Sequence, residues 1–218
     1  VTSYRPLKAY MYIHGFARFC NVKYNTDHTD IDNPFIHLTN VAIQKHNDEY
    51  NAKHGGKWHV KNLRLYVEQT YGLEASNRLF AGIDALIVHS LKSVQNVMIN
   101  DRHCFECYGY DVLIDADLKP WLVEVNASPS LTTTIEADRV LKLGLLRDIY
   151  GIVAPGVPGA VNADHVKSLV GFSSSGGGGA QQQQQAQALQ GGFYVLYDEA
   201  AEALADQAVD DNDDDKAG

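Results

Sequence analysis

The chain has 218 residues, of which 45% are hydrophobic, and it carries a formal net charge of −9. That length is enough for one sizeable core with tails, and no run of 18 apolar residues that would span a membrane is present. Nine of the 27 acids but only one of the 18 bases lie in residues 198–218, which leaves 18 acids and 17 bases elsewhere. The charge balance of the main part therefore neither favours nor excludes an anionic partner.

The chain begins at Val1, without an initiating methionine, and runs directly into strand-like sequence, so we expect it to start inside a longer protein. Its cysteines, Cys20, Cys104 and Cys107, form a sparse and odd set. Such usage favours reduced thiols in a cytosolic compartment over a disulfide framework. Cys104 and Cys107 match a CxxC spacing, but no second pair of ligands follows at zinc-site spacing, so ordinary thiols are the favoured interpretation.

The first quarter of the chain predicts strands and loops. Apolar and polar positions alternate over residues 8–24 around Gly15, which is typical of a β-hairpin. Residues 25–34 predict a loop rich in Asn and Asp, and FIHLTNVAI, residues 35–43, predicts another strand or an extended segment. The polar segment HNDEYNAKHGGKW, residues 46–58, predicts a surface loop.

Two helices are predicted next. VKNLRLYVEQTYG, residues 60–72, ends on Gly72, which is a common C-terminal stop. The following segment repeats apolar residues at three and four positions and predicts a helix that packs on a sheet; its stripe consists of Leu79, Phe80, Ile83, Leu86, Ile87, Leu91, Val94, Val97 and Met98.

Residues 105–126 predict a β-hairpin, and the threonines that begin TTTIEADRVLKLGLLRDIYGIV predict a further helix with a capping box. The buried face of that helix is expected to carry Ile135, Val140, Leu143 and Leu146.

Composition divides the rest of the chain. Residues 172–192 contain mainly Ser, Gly and Gln, and such a segment cannot bury enough apolar surface to offset the entropy of ordering it. We therefore predict a folded domain over residues 1–155 and a Gly/Ser/Gln-rich linker over residues 156–192. Residues 193–218 are expected to form a short apolar segment and an acidic disordered tail.

The 105–126 hairpin is expected to bring acids together. If its turn is centred between Asp117 and Leu118, Asp111 lies opposite Glu124, and Asn126 lies two residues farther along the same face. Two opposed carboxylates repel each other, and a divalent cation between them reverses the sign of that interaction. An all-oxygen ligand set suits Mg²⁺, which keeps several waters and bridges to phosphates. The pattern thus predicts a Mg²⁺ site for a nucleotide.

The alternative is an amphipathic hairpin whose acids face solvent, and on the motif alone the two interpretations are evenly balanced. The apolar residues of both strands favour the metal site, because they leave little room for a polar face and predict strands that are covered on both sides. These residues are Val112, Ile114, Leu122, Val123 and Val125.

Three longer segments resemble one family. ECYGYDVLIDADLKPWLVEVNASPSL resembles the signature near the C-terminus of the tubulin–tyrosine-ligase-like amino-acid ligases, and FIHLTNVAIQKHNDEYNAKHGGKW resembles their other hallmark segment. RPLKAYMYIHGFARFCNVKY resembles the strand pair before it. The similarity covers roughly residues 1–150, in the same order, which is more specific than a single short motif. Within the family, the HNDEYNAKHGGKW and ECYGYD segments are most similar to the tubulin polyglutamylases.

The resemblance implies an α+β fold, namely the C-terminal portion of an ATP-grasp fold, with an antiparallel sheet and packed helices. In that fold ATP lies between two lobes. Residues 1–155 would then be the C-terminal part of a ligase catalytic domain. The resemblance also implies that Asp111, Glu124 and Asn126 are the Mg²⁺ ligands, with Asn126 belonging to the ATP site as well.

Four further site residues come from the resemblance. Thr39 and Asn40 match positions that contact ATP, and Arg18 and Lys57 match catalytic positions that hold the incoming glutamate. An Arg fork pairs a carboxylate bidentately, and a Lys supplies a point charge. On the residues alone, simpler roles are favoured: Thr39 and Asn40 cap a turn, and Lys57 is a solvated loop lysine. Arg18 would be a strand residue that pairs with Asp30 or Asp32.

The implied activity is ATP-dependent addition of free L-glutamate to glutamate side chains of tubulin C-terminal tails, through an acyl phosphate. ATP and Mg²⁺ are the implied cofactors. Tubulin or microtubules and other polyglutamylase subunits are the implied partners, and neither nucleic acid nor membrane is expected. The implied location is the cytoplasm and cytoskeleton, including the axoneme and basal body of a cilium or flagellum.

Two alternatives stay open: a non-catalytic scaffold at microtubules or cilia, and a sister ligase that adds glycine or tyrosine. Residues 1–218 show no Gly-rich phosphate loop and none of the family's phosphate-contacting lysines. We therefore expect the chain by itself to bind ATP weakly, if at all, and to be inactive.

Overall fold

The computed structural model describes residues 1–25, 27–48, 56–133, 135–154 and 191–214. Within these residues the strands are β1 (Ser3–Tyr4), β2 (Leu7–Tyr12), β3 (Phe16–Arg18), β4 (Lys57–His59), β5 (Gly109–Ile114), β6 (Pro120–Asn126) and β7 (Phe193–Asp198). The α-helices are α1 (Pro34–His37), α2 (Val41–Gln44), α3 (Val60–Tyr71), α4 (Leu73–Val94), α5 (Glu136–Val153) and α6 (Glu199–Asp214).

The chain divides into two compact units, both built from several segments. The first consists of Val1–Ile13, Asn77–Thr132 and Lys142–Gly218, and the second of His14–Ser76 and Thr133–Leu141. Helices thus combine with antiparallel sheets, as expected for the α+β class. Among the described residues, no helix combines the length and apolarity needed to cross a bilayer.

The first unit contains a three-stranded antiparallel sheet in the order β1-β2-β7. Its core joins this sheet to α4 through five buried residues: Tyr4, Leu7, Ala9, Ile87 and Leu91. The periodic apolar stripe of α4 therefore packs on a sheet, as the sequence predicts. The stripe ends earlier than expected, since α4 stops at Val94 and Val97 is exposed.

The sheet's third strand comes from the far end of the chain. β7 pairs antiparallel with β2, with Met11 opposite Tyr194 and Tyr12 opposite Phe193. The amide of Gly192 donates to Asp148 Oδ2 at 2.9 Å just before the strand begins. The apolar segment predicted at residue 193 is thus a sheet strand.

The acidic segment differs from the expected disorder over Glu199–Asp214, where the backbone forms α6. Its alanine-rich sequence has a high helix propensity, and acids in a first turn favour a helix because they face the positive end of its dipole. Glu199 also fixes the helix start, since its Oε2 accepts from the Leu7 amide at 2.6 Å and from Gln95 Nε2 at 2.8 Å. Residues 155–190, which include most of the predicted linker, and residues 215–218 lie outside the described part.

The hairpin predicted over residues 8–24 is wrong in its pairing. β2 and β3 are both strands, but β2 pairs with β1 and β7, whereas β3 pairs with β4. The Gly15 carbonyl between them accepts from the Val60 amide at 2.9 Å. Alternation of apolar and polar residues identifies a strand but not its partner.

The extended segment predicted over residues 35–43 is also wrong, because two short helices occupy it. Asn33 caps α1, its side chain accepting from the Phe35 amide at 3.0 Å, and Pro34 takes the first helical position, where its missing N–H costs nothing. An N-cap residue followed by Pro is a sequence signal for a helix start, and Asn33 and Pro34 match it.

The two long central helices agree with the sequence. α3 ends at Tyr71, and Gly72 follows with φ +92°. In α5 the buried face differs from the prediction, because Val140 and Leu143 are exposed. The buried positions of α5 are instead Asp138 and Asp148.

Candidate functional site

Asp111 and Glu124 lie directly opposite each other on β5 and β6, as the sequence predicts. Nearer the turn the register differs by one residue, since Val112 pairs with Leu122 and Leu113 with Trp121. Continued without interruption, that register would place Asp111 opposite Val123. A register shift after Asp111 restores the acid pair, and such bulges commonly re-aim side chains.

Asn126 completes a three-residue cluster at the end of β6. Its Nδ2 donates to Asp111 Oδ2 at 3.2 Å and to Glu124 Oε1 at 3.1 Å. Asp111 and Asn126 are half-buried, while Glu124 is exposed. The amide thus bridges two carboxylates that would otherwise repel each other across the strands.

The chemistry of this cluster fits a hard divalent cation. Two carboxylates and one amide converge on one point, and an Asn side chain can present its carbonyl oxygen in place of its NH₂ group by rotating. Oxygen donors of this kind suit Mg²⁺. In the described part of the chain no three His, Cys, Asp or Glu side chains form a metal-binding group, so the set depends on Asn126 as its third donor.

Neighbouring residues fix the geometry of the hairpin. Gly109 lies opposite Asn126, and a Cβ at Gly109 would come within 3.0 Å of Pro129 Cβ. At the turn, Asp115 accepts from the Lys119 amide at 2.9 Å and from the Trp121 indole at 2.7 Å. The indole hydrogen bond, followed by backbone donors, holds the pKa of Asp115 below its ordinary value.

The two-sided cover expected for these strands is not present among the described residues. β5 and β6 form a sheet of two strands, and Leu113, Val123 and Val125 are exposed, Val123 by 63%. Among the described residues, the acid pair therefore depends on register rather than on burial.

A second cluster contains both predicted catalytic residues. Arg18 on β3 lies opposite Lys57 on β4 in the antiparallel register, so two bases occupy a cross-strand pair. Lys57 Nζ lies 3.0 Å from Asp138 Oδ2, and only 14% of the lysine side chain is exposed. Lys57 is thus not the solvated loop lysine of the simpler interpretation, whereas Arg18 remains exposed.

Thr39 and Asn40 lie between α1 and α2. Asn40 occupies the N-cap position of α2, but its side chain makes no capping hydrogen bond. A buried amide at the end of α2 holds the segment: Gln44 Nε2 donates to the Leu38 carbonyl at 2.5 Å and to the Phe35 carbonyl at 3.2 Å. Gln44 is 1% exposed, and its Oε1 accepts from the Asn21 amide at 2.9 Å.

The predicted site residues therefore fall into two groups. The first unit contains Asp111, Glu124 and Asn126, and the second contains Arg18, Lys57, Thr39 and Asn40. The structure joins the three residues of the first group through Asn126, and in the second group it pairs Arg18 with Lys57 across β3 and β4.

Gln44 and Asp138, which contact residues or segments of the second group, were not predicted from the sequence. A signal for Asp138 exists, because Asp138, Leu141, Leu145 and Asp148 recur at three and four positions along α5 and mark its inward stripe. Acids on a buried helix face require a hydrogen-bonding or oppositely charged partner. No comparable signal marks Gln44.

The three cysteines carry free thiols. Cys104 is exposed and Cys107 half-buried, and burial raises the pKa of the Cys107 thiol, which disfavours the reactive thiolate. Neither contributes to the two clusters above.

The chain is similar to known proteins of one family. The model of the tubulin-tyrosine ligase family matches residues 1–158. A probable alpha-tubulin polyglutamylase, Ttll1 of Tetrahymena thermophila, is 51% identical over 207 residues, which cover 95% of this chain and 46% of that protein. This similarity extends past residue 158.

Other relatives match a shorter part of the chain. The probable tubulin polyglutamylase TTLL9 of Bos taurus is 51% identical over 153 residues, or 70% of this chain and 33% of that protein. The tubulin polyglutamylase TTLL5 of Homo sapiens is 36% identical over 168 residues, or 70% of this chain and 13% of that protein. The chain spans about half the length, or less, of these curated relatives. The family model covers well over half of the chain, and the chain belongs to the tubulin-tyrosine ligase family.

Proposed function

We propose that the protein carrying this chain is an ATP-dependent ligase of the ATP-grasp type that adds glutamate to side-chain carboxylates in tubulin C-terminal tails. The curated relatives named as tubulin polyglutamylases support this activity. The observation that carries the proposal is the opposed pair Asp111 and Glu124, with Asn126 bonded to both. A scaffold has no need for repelling acids on one strand pair.

Asp111, Glu124 and Asn126 are the residues that would hold Mg²⁺, and Asn126 would also contact the nucleotide. The ion supplies charge neutralisation for a phosphoryl group in transfer. The protein's own contribution is to hold the two carboxylates on one face through the register shift in the hairpin. Thr39 and Asn40 are proposed as further ATP contacts, at a segment that Gln44 holds in place.

The proposed reaction has two steps. A side-chain carboxylate of a tubulin glutamate takes the γ-phosphoryl group of ATP, which gives an acyl phosphate and ADP. The amine of free L-glutamate then attacks the acyl carbon, so that a C–N bond forms, the C–O bond to phosphate breaks, and the amine loses a proton to solvent. Positioning and charge neutralisation provide most of the catalysis in such transfers.

Arg18 and Lys57 are proposed to hold the carboxylate of the incoming glutamate. Two bases opposed across β3 and β4 repel each other, as two acids do, and an anion between them reverses that repulsion. Arg18 is exposed, and its guanidinium offers a planar fork to a carboxylate. The two strand pairs thus have opposite charge: the β5–β6 pair suits a cation and the β3–β4 pair an anion.

With this activity, the protein is proposed to act at microtubules of the cytoskeleton, including those of cilia and flagella. Tubulin, free L-glutamate and other subunits of a polyglutamylase complex are the proposed partners.

The test uses the full-length protein with ATP, Mg²⁺, microtubules and labelled glutamate, glycine or tyrosine. We expect incorporation of glutamate. Asp111→Ala and Glu124→Ala should each reduce it by about 100-fold or more, because each removes charge stabilisation of the transferred group. Microtubule binding, measured by co-sedimentation, should stay unchanged.

Asp117→Asn provides the matched control, since Asp117 is an exposed residue in the turn of the same hairpin. It should retain full activity. Undiminished glutamate incorporation by Asp111→Ala would contradict the proposal. Incorporation of glycine or tyrosine instead would identify a sister ligase, and microtubule binding without incorporation would indicate a scaffold.

A further inference from the structure

Asp138 is a deeply buried acid that the proposed reaction does not use. It lies in the first turn of α5 and is 1% exposed. Its Oδ2 lies 3.0 Å from Lys57 Nζ, and both residues belong to the second unit. Carboxylates are almost never fully buried unless they are paired, and this ion pair offsets part of the cost of burying Asp138.

The pair also determines where the lysine charge lies. A lysine has four rotatable side-chain bonds and ordinarily extends into solvent. Lys57 is 14% exposed instead, and its ammonium also lies 5.4 Å from the centre of the Phe16 ring. Asp138 and Phe16 thus hold the ammonium against the β3–β4 sheet, on the strand pair that carries Arg18.

The charges of Arg18, Lys57 and Asp138 together favour binding of one anionic group. Arg18 and Lys57 contribute two positive charges and Asp138 one negative charge, so the cluster carries a net charge of about +1 at neutral pH. A single carboxylate group would neutralise it.

We propose that Asp138 is a positioning residue for substrate binding: it holds the Lys57 ammonium where it and Arg18 together bind one carboxylate of the incoming amino acid. This inference rests on the proposed function, in which Arg18 and Lys57 contact that amino acid. Asp138 does not touch the substrate. It acts through Lys57.

The test compares Asp138→Asn with wild type in the full-length protein, by steady-state glutamate ligation at saturating ATP and microtubules. Asparagine keeps the shape of the side chain and removes its charge. The KM for glutamate should rise on the order of tenfold, as is usual when a supporting residue is removed, while kcat changes little, because binding rather than the chemical step is affected. The KM for ATP should stay the same.

Glu136→Gln is the matched control on the same helical turn. Glu136 is exposed and pairs with Arg139 on the surface, so its KM values should equal those of wild type. An unchanged glutamate KM in Asp138→Asn, with wild-type ligation intact, would overturn the role of Asp138 and leave the proposed function standing. Absence of glutamate ligation by wild type would overturn both.

A purely structural role is separated by a second variant, Lys57→Met/Asp138→Leu. Removing one partner of a buried ion pair destabilises a protein, whereas replacing both partners with apolar residues is often neutral or stabilising. The melting temperature of the double variant should therefore be closer to the wild-type value than that of Asp138→Asn. The glutamate KM should stay at least as high as in Asp138→Asn, because no ammonium remains. Recovery of the wild-type glutamate KM along with stability would contradict the proposal.

Discussion

His59 shows how one side chain fixes the start of a helix. It is the last residue of β4 and the N-cap of α3, where its Nδ1 accepts from the Lys61 amide at 3.2 Å. Only a neutral imidazole can accept at that nitrogen. Burial, followed by the charge of Lys61, lowers the pKa of His59 from its ordinary value of 6.5.

This pKa shift predicts an acid-sensitive helix start. The unfolded chain binds the His59 proton more readily than the folded one, so the free energy of unfolding rises with pH where their protonation differs. The contribution of His59 is therefore complete above pH 6.5 and is lost as the pH falls from 6.5 through the folded value. Thermal unfolding of the full-length protein across this window should show the decline.

His59→Asn provides the comparison, since Asn is a good N-cap that does not titrate. Its melting temperature should fall less than that of wild type as the solution is acidified. Parallel pH profiles for the two proteins would show that His59 makes no such contribution.

Single residues also show how much of the candidate site could be predicted from the sequence. The opposition of Asp111 and Glu124 was predicted because a hairpin turn imposes antiparallel pairing, and the structure confirms that pairing. The register shift beside it was not predictable from side-chain alternation. Nor was the ion pair of Lys57 and Asp138, since 81 residues separate them in sequence. The proposed chemical roles of these residues stay predictions.

At the scale of elements, β7 depends on two glycines at its entry. A Cβ at Gly192 would lie 2.5 Å from Tyr12 Cε2 and 3.2 Å from Asp148 Oδ2. A Cβ at Gly191, where φ is +64°, would lie 2.6 Å from Asp148 Cγ. The close approach of this backbone to β2 and α5 therefore requires residues without side chains.

We expect Gly192→Ala to lower the free energy of unfolding by about 1–3 kcal/mol, the usual cost of overpacking a closed site. Hydrogen exchange of the Phe193–Asp198 amides should become faster, because β7 would pair less well with β2. Both quantities are measured on the full-length protein.

Gly151→Ala is a matched control that should raise the free energy of unfolding instead of lowering it. Gly151 lies in α5 and a Cβ there meets nothing within 4 Å. Alanine should stabilise this helix by about 0.5–1 kcal/mol. Equal effects of the two substitutions would contradict the packing argument at Gly192.

At the scale of the whole molecule, the chain spans less than half of the Tetrahymena relative, and its sequence shows no Gly-rich phosphate loop. We therefore expect the 218-residue chain alone to ligate no glutamate and to bind ATP much more weakly than the full-length protein. Labelled-glutamate incorporation and equilibrium nucleotide binding, each with the full-length protein as control, would test this. Ligation by the isolated chain would contradict it.

Whether a segment forms a helix or a strand was more predictable from the sequence than the strand with which it pairs. The helices α3 and α4 and the β5–β6 hairpin depend on local periodicity and turn chemistry, and the sequence predicts them. The pairings of β2 with β7 and of β3 with β4 depend on contacts between distant segments. No local pattern specifies such contacts.

Because β2 begins at Leu7 and its partner β7 ends at Asp198, this sheet is completed only by a segment that leaves the ribosome long after β2. Contacts between such distant segments form slowly, since the loop between them must close first. Until then one edge of β2 has unpaired amides and carbonyls that could pair with another chain. During synthesis, this edge of β2 consequently stays open until residue 198 has emerged.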